Sequence, residues 1–238
     1  MVTLTELFSK DVTSSDYTPI SGMLMLDLID FIKENCKPYL LNKPPKKWLQ
    51  KGSSLNQNQL YKIENIHSQR RPKDLSITVH NFLEQVISLS GASVNRSNCR
   101  FAVANEELGT GQPIDEYGIP CYVFPIGNFD ITWSKLLADP FWVFTYHDYD
   151  GNLEIFKDNK MNIEFVEGKL SFEFPIDDKI HNRKIIEKLI KSYQHGLQTL
   201  PTAMKTKNEI MIGGCEKILV IQQRDIGEKI VKYLQRSK

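Results

Sequence analysis

The spacing of apolar residues changes along this chain, and that change limits the folds open to it. Residues 21–34 place Leu24, Leu28, Phe31 and Ile32 on one helical face. Residues 74–89 do the same with Ile77, Val79, Phe82, Leu83, Val86 and Ile87. From Cys99 onward the pattern is strand-like: residues 99–103, 120–126, 129–133, 162–166 and 170–174 alternate or run apolar over short lengths. Residues 48–52 and 61–66 are earlier strand candidates, and 209–221 gives the last strands around a Gly213-Gly214 break. Helical spacing returns over 182–195 and 226–234.

Turn chemistry then chooses between parallel and antiparallel pairing. Asp148-Tyr149-Asp150-Gly151-Asn152 sits between candidate strands 141–146 and 152–156, and Glu167-Gly168 between 162–166 and 170–174. Connections this short join antiparallel neighbours, because a parallel pair needs a long crossover. The expectation is an α+β fold with a mainly antiparallel sheet. Lys43-Pro44-Pro45-Lys46-Lys47 is the clearest boundary signal. It separates a helical N-terminal extension, residues 1–45, from a main domain, residues 46–238. Cys36-Lys37-Pro38 is expected to end the first helix and Gly91 the second, with Asp74 or Ser76 as the second helix's N-cap.

Charge and composition narrow the function classes. The 238 residues carry a net charge of +1, which supplies no general pull on nucleic acid or an acidic membrane. No apolar run reaches the ~18 residues that a bilayer span needs, and the N-terminus lacks the basic-then-apolar order of a signal peptide. Cys36, Cys99, Cys121 and Cys215 are scattered without a C-x-x-C pair, and the five histidines show no metal-ligand spacing. No metal and a cytoplasmic setting are expected. Asp148, Asp150 and Asn152 imitate the start of a calcium loop, but residue 159 is Asn where a bidentate Glu is required. No phosphate-cradling glycine motif and no G-x-S-x-G element is present.

What remains is a dispersed series of short segments. They are Trp48-Leu49-Gln50-Lys51-Gly52, Gln69-Arg70-Arg71-Pro72, Arg96-Ser97-Asn98-Cys99-Arg100-Phe101-Ala102, Glu116-Tyr117-Gly118, Trp133-Ser134 and Asn208-Glu209-Ile210-Met211-Ile212. Glu209 enters an apolar run with one flank toward water and one toward the core. The plain reading is a carboxylate that solvates a sheet end.

In order and spacing this series resembles the ADP-ribosyltransferase fold, most closely a group of phage-encoded members, over about residues 48–222. The resemblance implies a split antiparallel sheet with flanking helices, NAD as cofactor and transfer to a protein target. Lys51-Gly52 stands where the family carries Arg-Gly, Phe101 lies in the place of a Ser-Thr-Ser element, and Glu209 matches the catalytic Glu. By that likeness Glu209 stabilises an oxocarbenium-like transition state. Lys51, Gly52, Arg70, Arg71 and Arg96 would hold phosphate or ribose, with Phe101 and Tyr117 beside the nicotinamide. Three departures stand out. An ammonium at Lys51 lacks the bidentate grip of a guanidinium. The hydroxyls of the middle element are missing. Lys207 occupies the position of the second Glu or Gln found in enzymes that modify Arg.

Two other readings follow from the same residues. One is a module of the same fold with a decayed site, serving as a virion, assembly or other protein-binding component. Residues 1–45 would then be a docking element, although the apolar Met23-Leu24-Met25-Leu26 run more readily serves to pack the extension on the main domain. In that case the arginines are ion-paired or solvated surface charge, and Phe101 and Tyr117 are core. The weaker alternative is a nucleic-acid-binding stretch of Lys43, Lys46, Lys47 and Lys51 around Trp48.

Overall fold

A computed structural model describes residues 22–55, 59–66, 77–104, 114–138, 162–166, 169–173 and 179–236. Within them the chain is α+β, with two four-stranded antiparallel sheets and several helices. The first sheet has the order β1 (Leu49–Ser53), β4 (Ile119–Pro125), β10 (Lys217–Gln222), β2 (Tyr61–Asn65). The second has β3 (Arg100–Ala102), β9 (Ile210–Gly213), β5 (Asp130–Ser134) and β8 (Tyr193–His195). A separate hairpin pairs β6 (Asn162–Val166) with β7 (Lys169–Glu173) in the register the Glu167-Gly168 turn suggests. The other predicted hairpin, residues 141–156, lies outside the described residues.

Strand alternation sets the layers. Paired residues point to the same side, so Leu49, Val123 and Val220 form one row of the first sheet, while Tyr122 and Ile221 belong to its other face. In the second sheet Ala102, Ile210 and Trp133 share one face, and Phe101, Met211 and Thr132 the other. Leu49, Val123, Val220, Ala102, Ile210 and Trp133 all belong to one buried cluster, so the two sheets face each other. Trp133 is fully buried there and donates from Nε1 to Thr199 Oγ1 at 3.2 Å, which satisfies its one polar atom.

Helices cover both outer faces. Residues Gly22–Asn35 (α1), Lys37–Asn42 (α2) and Glu228–Arg236 (α6) lie outside the first sheet. Tyr39 of α2 meets Phe124 edge-on at 6.0 Å, and Tyr122 donates its hydroxyl to Glu228 of α6 at 2.6 Å. Helices Ile77–Leu89 (α3) and Lys179–Ser192 (α4) cover the second sheet, where Phe82, Leu83, Val86, Ile87 and Leu189 meet Met211 in a second buried cluster. A short helix, Leu200–Ala203 (α5), leads into β9.

The Cys36-Lys37-Pro38 stretch ends α1 at Asn35 as expected, and the chain restarts at once as α2 with Pro38 in its first turn, where a missing N–H costs nothing. The helices before the proline-rich stretch pack on the main core. Leu28, Ile29, Ile32 and Tyr39 are buried in the same cluster as Leu49, Val123 and Trp133. Residues 193–195 are an edge strand rather than the end of the preceding helix, because β5 has a free side on which Thr132, Trp133 and Ser134 pair with them. Gly91 does end α3, at φ +85. Asp74 and Ser76 lie outside the described residues.

Candidate functional site

β3 is three residues long and divides two charged clusters. Its place is fixed on both sides. Gln50 and Val103 exchange both backbone hydrogen bonds, at 2.7 and 2.9 Å, which ties β1 to the end of β3 and joins the two sheets. Arg100, Phe101 and Ala102 then pair with Ile212, Met211 and Ile210 of β9. Adjacent residues of a strand face opposite ways. Arg100 therefore turns toward β1 and β2, while Phe101 turns toward α3 and α4.

On the Phe101 side, local polar chemistry aims two charged groups at each other. Asn95 Oδ1 accepts from the backbone N–H groups of Ser97 and Asn98, and Asn98 Oδ1 accepts from that of Asn95. These side-chain turns fix the loop that carries Arg96. Glu84 Oε1 takes a further bond from Ser97 N at 3.1 Å, and His80 Nε2 lies 3.1 Å from Ser97 Oγ. Across from this loop, Asn208 Nδ2 donates to Ser134 O at 2.7 Å and Glu209 N to Ala138 O at 2.8 Å. Glu209 is thereby anchored just before β9.

The result is an ion pair with little water around it. Arg96 Nη1 lies 3.1 Å from Glu209 Oε2, with the two side chains 10% and 16% exposed. The Arg96 guanidinium carbon sits 4.6 Å from the centroid of the Phe101 ring. Burial works against the Arg96 charge, but Glu209, with smaller help from Tyr193 and Cys99, holds its pKa above the ordinary value. Burial also raises the pKa of Glu84, which the Arg96 and Ser97 amides and the Arg96 charge partly offset. Arg96 thus meets the Glu209 carboxylate at close range and acts more weakly on the Glu84 carboxyl.

On the Arg100 side the balance is different. Glu64 of β2 is approached by Lys51 Nζ at 2.7 Å, Lys62 Nζ at 3.1 Å and Arg100 Nε at 3.7 Å. Ser53 adds a hydroxyl donor at 3.0 Å. Glu64 is 11% exposed, and burial would raise its pKa. The ammonium groups of Lys51 and Lys62 win and hold it down at about 2. The Lys51 pKa is lowered too, for a different reason. Its burial lowers its pKa, Glu64 opposes that, and Arg100 and Lys62 add to the depression.

The residues expected to form one site therefore part into two groups. Lys51 pairs with Glu64, and Arg96, Phe101 and Glu209 meet on the opposite face of β3. The strands themselves are close: β1, β3 and β9 are consecutive neighbours, about 10 Å from first to last at the usual strand spacing. Gly52 is required for packing. A Cβ there would stand 2.5 Å from the Tyr117 carbonyl carbon and 2.6 Å from its Cβ, where the turn Ile114–Tyr117 crosses β1. Tyr117 itself is half exposed. Arg70 and Arg71 lie outside the described residues.

Sequence reasoning missed Glu64, Lys62 and the role of Arg100. The available signal was Tyr61-Lys62-Ile63-Glu64, where opposite charges two apart must share one face of a strand. The basic stretch around Trp48 is partly consumed by packing. Lys43 is buried, with Nζ 3.6 Å from the Trp48 ring centroid, and Lys51 is committed to Glu64. Among the described residues no helix is long and apolar enough to cross a membrane. No family model, curated protein or solved structure matches this chain.

Proposed function

We propose that this protein is a binding module of ADP-ribosyltransferase type that does not transfer ADP-ribose, and that it works by engaging a protein partner, as a virion or assembly component would. The observation that carries this reading is the Arg96–Glu209 ion pair. A carboxylate stabilises an oxocarbenium ion through its own negative charge. At about 4 Å and an effective dielectric of about 20 that attraction is about 4 kcal/mol. A guanidinium at similar range opposes it by a comparable amount. Phe101 lies over Arg96, and Lys51, the expected phosphate ligand, is turned to the other face of β3.

A second reading, an active NAD-dependent ADP-ribosyltransferase acting on a protein, is favoured by the adjacency of β1, β3 and β9. These strands bring the Lys51, Phe101 and Glu209 segments together in the order the resemblance requires. In that reading Arg96 would release Glu209 when NAD enters. Incorporation of labelled ADP-ribose from NAD into bacterial lysate separates the two, with wild type beside Glu209→Gln and NAD binding followed by calorimetry. The module reading expects no label and no saturable NAD heat. Label that appears with wild type and vanishes with Glu209→Gln establishes the enzyme.

A further inference from the structure

The Glu64 cluster has more cation than it can neutralise. Lys51, Lys62 and Arg100 arrive from three strands, β1, β2 and β3, onto one carboxylate, leaving an excess of two positive charges in the cluster as described. The donors are only partly used. Lys62 Nζ also reaches Ser54 Oγ at 3.3 Å, and Arg100 Nη2 donates to Asn65 O. Arg100 Nε is buried and has no hydrogen-bond partner, since Glu64 Oε2 at 3.7 Å is beyond bonding range. Arg96 Nε is buried without an acceptor as well, so it is the excess of cations around Glu64, with an unused donor among them, that marks a network missing one component.

The geometry points to a binding site for a phosphoryl dianion among Lys51, Lys62 and Arg100, on the face of β3 opposite Glu209. Two negative charges would balance the excess, and a tetrahedral oxyanion offers acceptors to ammonium and guanidinium donors at once. Partial exposure leaves a route in: the side chains of Lys51, Lys62 and Arg100 are 17%, 23% and 20% exposed. The depressed pKa of Lys51 is relieved by an added anion, so binding takes up protons at alkaline pH. This site stands apart from the Arg96–Glu209 pair and does not depend on whether the protein transfers ADP-ribose.

The test is calorimetric titration of the full chain with inorganic phosphate at constant ionic strength in chloride, and in parallel with glycerol 3-phosphate. The expected result is saturable one-to-one binding of at least one of them. Lys62→Gln should weaken it about tenfold, and Lys62→Arg should keep it within about threefold. Tighter binding of the ester assigns the site to a phosphorylated molecule, and tighter binding of the free ion to phosphate itself. Arg100→Lys serves as the second variant, since it keeps the charge but loses the Nε donor, and it should weaken binding severalfold. The proposal is overturned if neither probe gives saturable heat at millimolar concentration, or if binding is the same in Lys62→Gln and Arg100→Lys as in wild type.

Discussion

Two charged clusters stand back to back across β3, and their stoichiometries differ. Arg96 is paired with Glu209, with the Glu84 carboxyl nearby, and Phe101 lies over the guanidinium. Glu64 faces three cations. A buried guanidinium Nε without an acceptor occurs on both sides, at Arg96 and at Arg100. A sequestered pair in which each charge meets an opposite one is neutralised within the fold. An unbalanced one is held together by the fold, and in our proposal an anion from outside completes it. In the module reading we propose, Glu209 is a structural partner of Arg96, and the charges open to a ligand gather around Glu64 of β2.

The largest expected effect probes the balanced side. Arg96→Met leaves Glu209 buried without its cation and should cost about 3–5 kcal/mol in urea unfolding. The double variant Arg96→Met with Glu209→Gln should recover part of that loss, because no unpaired charge is left. Loss of no more than a few tenths of a kcal/mol in the single variant would make the pair a surface contact and end the comparison.

The unbalanced side gives a pH signature. A carboxylate whose folded pKa lies below its unfolded value contributes stability that is complete above the unfolded pKa and lost as pH falls through the folded one. For Glu64 that window runs from the ordinary 4.5 down to about 2. The stake is about 3 kcal/mol at 1.36 kcal/mol per pKa unit. Unfolding free energy measured between neutral pH and pH 2 should fall more steeply in wild type than in Glu64→Gln. Parallel slopes would contradict the assignment.

A smaller effect tests the junction on which both clusters depend. Gly52→Ala pushes a methyl into the Tyr117 backbone and should cost about 1–3 kcal/mol. It should also weaken phosphate binding, because Lys51 is the neighbouring residue. The smallest effect is a control. Lys232 and Glu228 lie 3.7 Å apart with side chains 65% and 45% exposed. Lys232→Ala should therefore change unfolding free energy by no more than about 0.5 kcal/mol.

Much of this architecture was legible because it is local. The helix at residues 22–35, the 162–173 hairpin and the strands near 100, 120, 130, 210 and 217 follow from apolar spacing and turn residues. What was hidden depends on contacts distant in sequence. The burial of Tyr39 beside Trp48 and Phe124 joins the extension to the main core, and nothing in residues 43–47 announces it. Arg96, which pairs with Glu209, is 113 residues away from it, and Glu64, which pairs with Lys51, sits on a strand of weak apolar alternation. Side-chain direction also escaped. Order along the chain brought β1, β3 and β9 together, but the alternation of Arg100 and Phe101 sends the two sets of charges to opposite faces.

The most direct measurement is urea unfolding of Glu209→Gln beside wild type, on the same preparations used for the transfer assay. If Glu209 is a structural partner of Arg96, the substitution costs about 3 kcal/mol or more, because a buried guanidinium loses its counter-charge. A variant as stable as wild type, or more stable, that has lost an NAD-dependent transfer activity would contradict that account and return Glu209 to the catalytic role its position resembles.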